Sequence, residues 1–150
     1  MKINRNIFTW LLVFLWMTII FSFSSRPATD SNEQSYQVGR LVCSIIIPSF
    51  NEMPETEKLA YLENINFAVR KTAHMIEYAI LGILLAIAMN NKRKPVALAI
   101  GILYACTDEF HQLFVAGRSG QIRDVMIDSA GVLLGVFMIA VIFRKKQRRS

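Results

Sequence analysis

Long, nearly uninterrupted apolar runs leave this chain few folds to choose from. Residues 7–23, 73–89 and 124–143 each approach the ~20 largely apolar residues that a helix needs to cross a bilayer. Residues 95–115 form a fourth run, although charged residues interrupt it. In hydrocarbon every backbone polar group must be satisfied internally, so only helices and closed barrels span. Runs of this length read as helices. The expected fold is all-α, an integral membrane bundle of four transmembrane helices in a single domain covering residues 1–150. The run 41–50 is too short to span and contains Pro48, so it reads as an amphipathic or re-entrant segment of the first outer loop.

Charge sets the expected orientation. The net charge is +6. Ten of the seventeen basic residues fall in the N-terminus, the loop 90–94 and the tail 144–150, which hold no Asp or Glu. The positive-inside rule then places both termini in the cytoplasm of a multi-pass cell-membrane protein. The basic tail reads as a stop-transfer anchor, and nothing in the charge pattern calls for a nucleic-acid partner. The first apolar core, at seventeen residues, is longer than a signal-peptide core and no small-x-small site follows it. It reads as an uncleaved span.

The first outer loop runs from about residue 24 to 68. Its start, SSRPATDSNEQSYQ, is polar and reads as irregular. Further on, Leu59, Leu62, Ile65 and Val69 form a stripe at helical spacing, which predicts an outer amphipathic helix leading into, or kinked against, the second span. Cys43 would lie in this loop and Cys106 in a span, so no disulfide is expected. Cys106 reads as a small buried apolar residue.

Ionisable residues lie within the spans, all toward one end of the helices. A charge in hydrocarbon costs several kcal/mol, so such residues face partners or wet cavities. The short connection AGRSGQIR makes the third and fourth spans antiparallel neighbours, and the second span begins on the same side. Arg70, Lys71, His74, Glu77 and Tyr78 therefore converge on Asp108, Glu109 and Gln112 and on Asp124 and Asp128, with Arg118 and Arg123 in or beside the connection. Residues three or four apart share a helix face. Arg70, His74, Glu77 and Tyr78 line up, as do Tyr104, Asp108, His111 and Gln112, and so do Asp124, Asp128, Gly131 and Gly135. The last two form a GxxxG pattern, which lets another backbone approach closely.

Each motif has a structural and a functional reading. Arg70 and Lys71 could snorkel to headgroups or clamp an anion. The adjacent Asp108 and Glu109 project at different angles, so at most one would point straight into a cavity. They could pair with Arg118 or Arg123, or move a proton. The acids and histidines match no metal spacing, and basic residues stand among them, so no metal is expected. No nucleophile motif such as GxSxG is present, and no motif calls for a cofactor.

Together, RKTAHMIEYAILG and TDEFHQLFVAGRSGQIRDVMIDSAGVLLG resemble the VanZ-like family. The matching positions are Arg70, Lys71, His74 and Tyr78; Asp108, Glu109 and Gln112; Gly117 and Arg118; and Asp124, Asp128, Gly131 and Gly135. Asp128 departs from the pattern, since many members carry Asn there. The resemblance implies a cell-envelope membrane protein, because the family's namesake is associated with resistance of Gram-positive bacteria to the glycopeptide teicoplanin.

Three functions follow as expectations. The polar cluster, comprising Arg70, Lys71, His74, Glu77, Tyr78, Asp108, Glu109, Gln112, Arg118, Asp124 and Asp128, would bind membrane lipid or an anionic lipid-linked cell-wall precursor. It could instead belong to an enzyme acting on a phosphorylated lipid headgroup. A small transporter is the third, although four spans are few and a homo-oligomer would have to compensate.

Overall fold

The computed structural model describes residues 5–147. Among these it is all-helical: α1 (Arg5–Ser24), α2 (Ala28–Ile46), a 3-10 turn (Phe50–Glu52), α3 (Glu55–Ala88), α4 (Lys94–Gln112) and α5 (Ile122–Gln147). Lys2 and residues 148–150, part of the expected cytoplasmic charge, lie outside the described residues.

Three helices are long and apolar enough to cross a membrane, namely the segments Asn6–Ser24, Glu55–Ala88 and Ile122–Arg144. Large apolar side chains such as Phe14, Leu103, Met126 and Phe137 point outward. On a soluble protein an apolar surface this extensive would be a liability; facing lipid it is expected. By span length and outer surface alike, the chain is membrane-like. α4 is not among the three, because Asp108, Glu109, His111 and Gln112 crowd its last turns.

α3 and α5 form the central pair. A Cβ on Gly131 would collide with the Met75 carbonyl, and one on Gly135 with the Ala79 carbonyl. Gly82 meets the Val132 carbonyl from the other side, and the Val132 side chain fills the space beside Gly101 of α4. Without a hydrophobic drive between helices in lipid, such close backbone approach is what gains dispersion contact. Around this seam a core of Val13, Ile20, Tyr78, Leu81, Leu85, Val132, Val136 and Ile139 closes the bundle. α3 turns into α4 through Asn90 and Asn91, both with left-handed φ (51° and 55°), a conformation that Asn tolerates better than most residues.

At 34 residues α3 is ~50 Å long at the helical rise, well beyond the ~30 Å hydrocarbon core. Its first half carries a second layer. Cys43 of α2, Phe50 of the turn and Leu62 of α3 bury one another, with Tyr36, Ile47, Met53 and Ile65 packed around them.

Several expectations change here. The polar stretch after residue 24 is not irregular, because it forms α2. Pro27 fixes an extended residue ahead of the first helical turn. The buried face of α2 is Ser35, Gly39 and Cys43, spaced by four. These small residues let it lie close to Leu62 and Ile65. The run 41–50 is the end of α2 followed by the 3-10 turn. α3 is one continuous helix from the amphipathic segment into the span. Of the predicted stripe, Leu62 is buried but Leu59 is exposed. Cys106 is exposed rather than buried, on the outer side of α4, and both cysteines are free.

Candidate functional site

Three layers of polar side chains occupy the end of the bundle away from the Asn90–Asn91 turn. The innermost is a carboxylate layer. Asp108 and Asp128 are 2% and 1% exposed, and Tyr78 is fully buried beside them. Ser24 Oγ, at the end of α1, donates to Asp108 Oδ2 (2.7 Å). The Tyr78 hydroxyl faces the Asp108 carboxylate, and Asp128 Oδ2 has no hydrogen-bond partner among the described residues. Unpaired buried polar atoms are costly, so this layer does not arise from packing alone.

The middle layer is centred on Gln112. Its Nε2 donates to Asp108 Oδ2 (3.2 Å) and to Glu109 Oε1 (3.1 Å). Its Oε1 accepts from Arg118 Nη1 (3.2 Å). Asp108 and Glu109 both turn inward despite being adjacent, and the Gln112 amide lies between them. The backbone N–H of Gln121 donates to Glu109 Oε2 (3.0 Å), and Gly120 lies against the Glu109 carbonyl, where a Cβ would not fit. The α4–α5 connection is thereby clamped onto α4.

The outer layer is cationic. Arg118 donates through Nε to the Arg26 carbonyl (2.8 Å) and through Nη2 to the Phe23 carbonyl (3.1 Å). The Phe23 carbonyl, which also accepts from the Arg26 N–H (3.3 Å), and the Arg26 carbonyl just beyond it lie at the C-terminal end of α1, where a cation is favoured. Burial, and then the like charge of Arg70 nearby, pull Arg118 below its ordinary value, yet a guanidinium remains charged. Lys71 forms an ion pair with Asp124, with both side chains nearly buried. Arg70 Nη1 donates to Asn32 Oδ1 of α2 (3.1 Å), which also accepts from Asn66 Nδ2 (3.3 Å). His74 Nδ1 lies 4.0 Å from Glu77 Oε2, too far for a hydrogen bond.

Two cavities open among these layers. The larger, about 570 Å³, is lined by apolar Val38, Val42, Ile65, Val69 and Ile76 together with Arg70, His74, Glu77 and Arg118. The smaller, about 90 Å³, is polar and is bounded by Arg70, Lys71, His74, Gln112, Arg118 and Asp124 under the loop Gly117–Gln121. Arg70, His74 and Arg118 belong to both.

Seven of the eleven candidate residues thus line the cavities, and Asp108 and Glu109 hold Gln112, which does. Tyr78, Asp108 and Asp128 lie behind them as a supporting layer. Asp108 therefore acts on the cavities through Gln112 rather than by facing them. The expected ion pairs of Asp108 or Glu109 with Arg118 or Arg123 do not form. Arg118 is taken up by carbonyls, and Arg123 lies over the Phe67 ring at 4.7 Å. His111 shares the α1-facing side of α4 with Tyr104 and Asp108 and stacks on Phe21, with Nε2 3.2 Å from Ser25 Oγ. Among the described residues no group of three or more His, Cys, Asp or Glu could hold a metal ion. Sequence reasoning missed Ser24 and Asn32. Ser24 reads as part of a polar loop, and Asn32 gains its role only once α2 exists.

No curated protein and no solved structure matches the chain. A family model does, that of VanZ/LLP1, over residues 8–144. This match takes in all three layers and both cavities, and it shows that the chain belongs to the VanZ/LLP1 family.

Proposed function

We propose that this is a multi-pass protein of the cell envelope whose polar end faces outward and binds an anionic lipid or lipid-linked cell-wall precursor. By doing so it would lower susceptibility to glycopeptides such as teicoplanin. The observation that carries this reading is the larger cavity. Its lining is mostly apolar and includes Arg70 and Arg118, a combination that suits an anionic amphiphile. Arginine suits the role because its planar fork binds phosphate or carboxylate bidentately.

Expression in a teicoplanin-sensitive Gram-positive host tests the phenotype. Wild type should lower susceptibility. Asp108→Asn should abolish the change at normal protein level, because it removes the charge that orients Gln112 and through it Arg118. An unchanged susceptibility with wild type would remove the antibiotic role. A full phenotype from a well-expressed Asp108→Asn protein would make Asp108 a purely structural residue.

The reading includes four spans, with α4 as the third, and cytoplasmic termini. In a background lacking Cys43 and Cys106, Ser49→Cys should react with an impermeant thiol reagent on intact cells and Lys92→Cys should not. The reverse pattern would invert the topology and put the site on the cytoplasmic side.

A second reading is an enzyme acting on a phosphorylated lipid headgroup. What favours it is that His74 and Glu77 line the larger cavity beside Arg70, where an acid/base pair could act on a bound headgroup. Turnover of a lipid phosphate by the purified protein, lost in His74→Gln, would distinguish it from binding alone.

A further inference from the structure

The two cavities differ in what they admit. The larger falls within the ~300–1,000 Å³ of pockets that take drug-sized ligands, and the smaller falls far below that range. An acyl chain or a sugar- or glycerol-bearing headgroup does not fit the smaller one, whereas a group of a few atoms does. Its walls carry Arg70, Lys71 and Arg118 against the single carboxylate of Asp124. Counted over the charged side chains of the lining alone, three cations less one anion leaves +2, with Asp108 and Glu109 behind the wall on Gln112. A phosphate monoester carries about −1.5 to −2 at pH 7, and a diester carries only one negative charge. Arg118 is held in place by three hydrogen bonds. Arg70 spends one N–H of its five on Asn32 and stands at the junction of the two cavities. Arg70, His74 and Arg118 line both cavities and so form the partition between them; a headgroup reaches the smaller chamber from the larger only if the Arg70 or His74 side chain swings aside.

We propose that the smaller chamber seats a phosphate monoester, carried by a lipid whose chain occupies the larger cavity. This rests on reading the larger cavity as an anionic-lipid site and narrows it to one headgroup class. Both size and charge select against phosphodiester lipids.

The test uses the purified full-length protein and native mass spectrometry. The probes are dioleoyl phosphatidic acid, dioleoyl phosphatidylglycerol and dioleoylglycerol, with inorganic phosphate as competitor. Phosphatidic acid should bind at least about tenfold tighter than phosphatidylglycerol, the equivalent of about 1.4 kcal/mol, and inorganic phosphate should weaken it. Ser119→Phe, which fills only the smaller chamber, should erase the preference and leave phosphatidylglycerol binding intact. Val42→Phe, which fills only the larger one, should weaken both lipids. Gln121→Phe replaces Ser119→Phe if that variant does not fold. Equal binding of the two anionic lipids, or a preference that survives Ser119→Phe, overturns the phosphate seat and leaves the anionic-lipid reading standing. Dioleoylglycerol binding as tightly as phosphatidic acid overturns both. Inorganic phosphate bound with no lipid bound would make free phosphate the ligand and overturn the lipid source.

Discussion

The two ends of the bundle are built on opposite principles. Toward the Asn90–Asn91 turn the helices bury Leu81, Leu85, Val136 and Ile139, with few polar side chains to satisfy. At the other end Asp108, Glu109, Asp124 and Asp128 are all buried, and Asp124 and Asp128 each keep an oxygen without a partner among the described residues. Burying charge this way is expensive, and nothing in the apolar end requires it. The difference locates function: one end holds the helices together, and the other spends stability on a polar interior.

The sharpest way to break this contrast is Lys71→Met. It leaves Asp124 buried and unpaired and should cost about 3–5 kcal/mol, read as a fall in thermal stability in detergent. Lys71→Met with Asp124→Leu removes both charges and should recover most of that stability while weakening phosphatidic acid binding, because Lys71 lines the smaller chamber. If the double variant binds lipid normally, the ion pair belongs to the scaffold and the contrast weakens. Gly135→Leu probes the other principle. Its side chain would meet the α3 backbone, and a loss of about 1–3 kcal/mol is expected. Gly135→Leu protein of wild-type stability would mean that the α3–α5 seam is looser than described. The smallest effect should come from Cys106→Leu, on the exposed face of α4. A change within about 0.5 kcal/mol is expected, and unaltered lipid binding with it. A large loss there would reveal a packing partner on that face.

The polar end was legible because topology forces it. A short connection between residues 115 and 122 brings Gln112 and Asp124 together whatever the details of packing. The GxxxG contact of Gly131 and Gly135 was legible for a related reason, since its spacing is a property of the helix itself. α2 was hidden because its inward face is Ser35, Gly39 and Cys43. Hydrophobic periodicity registers large side chains and passes over small ones. The partners of Arg118 were hidden too. They are backbone carbonyls at the end of α1, which no residue pattern announces, so a carboxylate was the natural expectation. Cys106 was misplaced because an apolar residue in a span can face core or lipid, and composition does not separate the two.

The glycine seam also fixes the axial register of the polar end. Gly131 and Gly135 lock onto Met75 and Ala79 at backbone distance, so α5 has one position along α3. A slip of one helical turn would carry Asp124 ~5.4 Å past Lys71 and break their ion pair. Two residues with no side chain therefore set the height at which the charges meet.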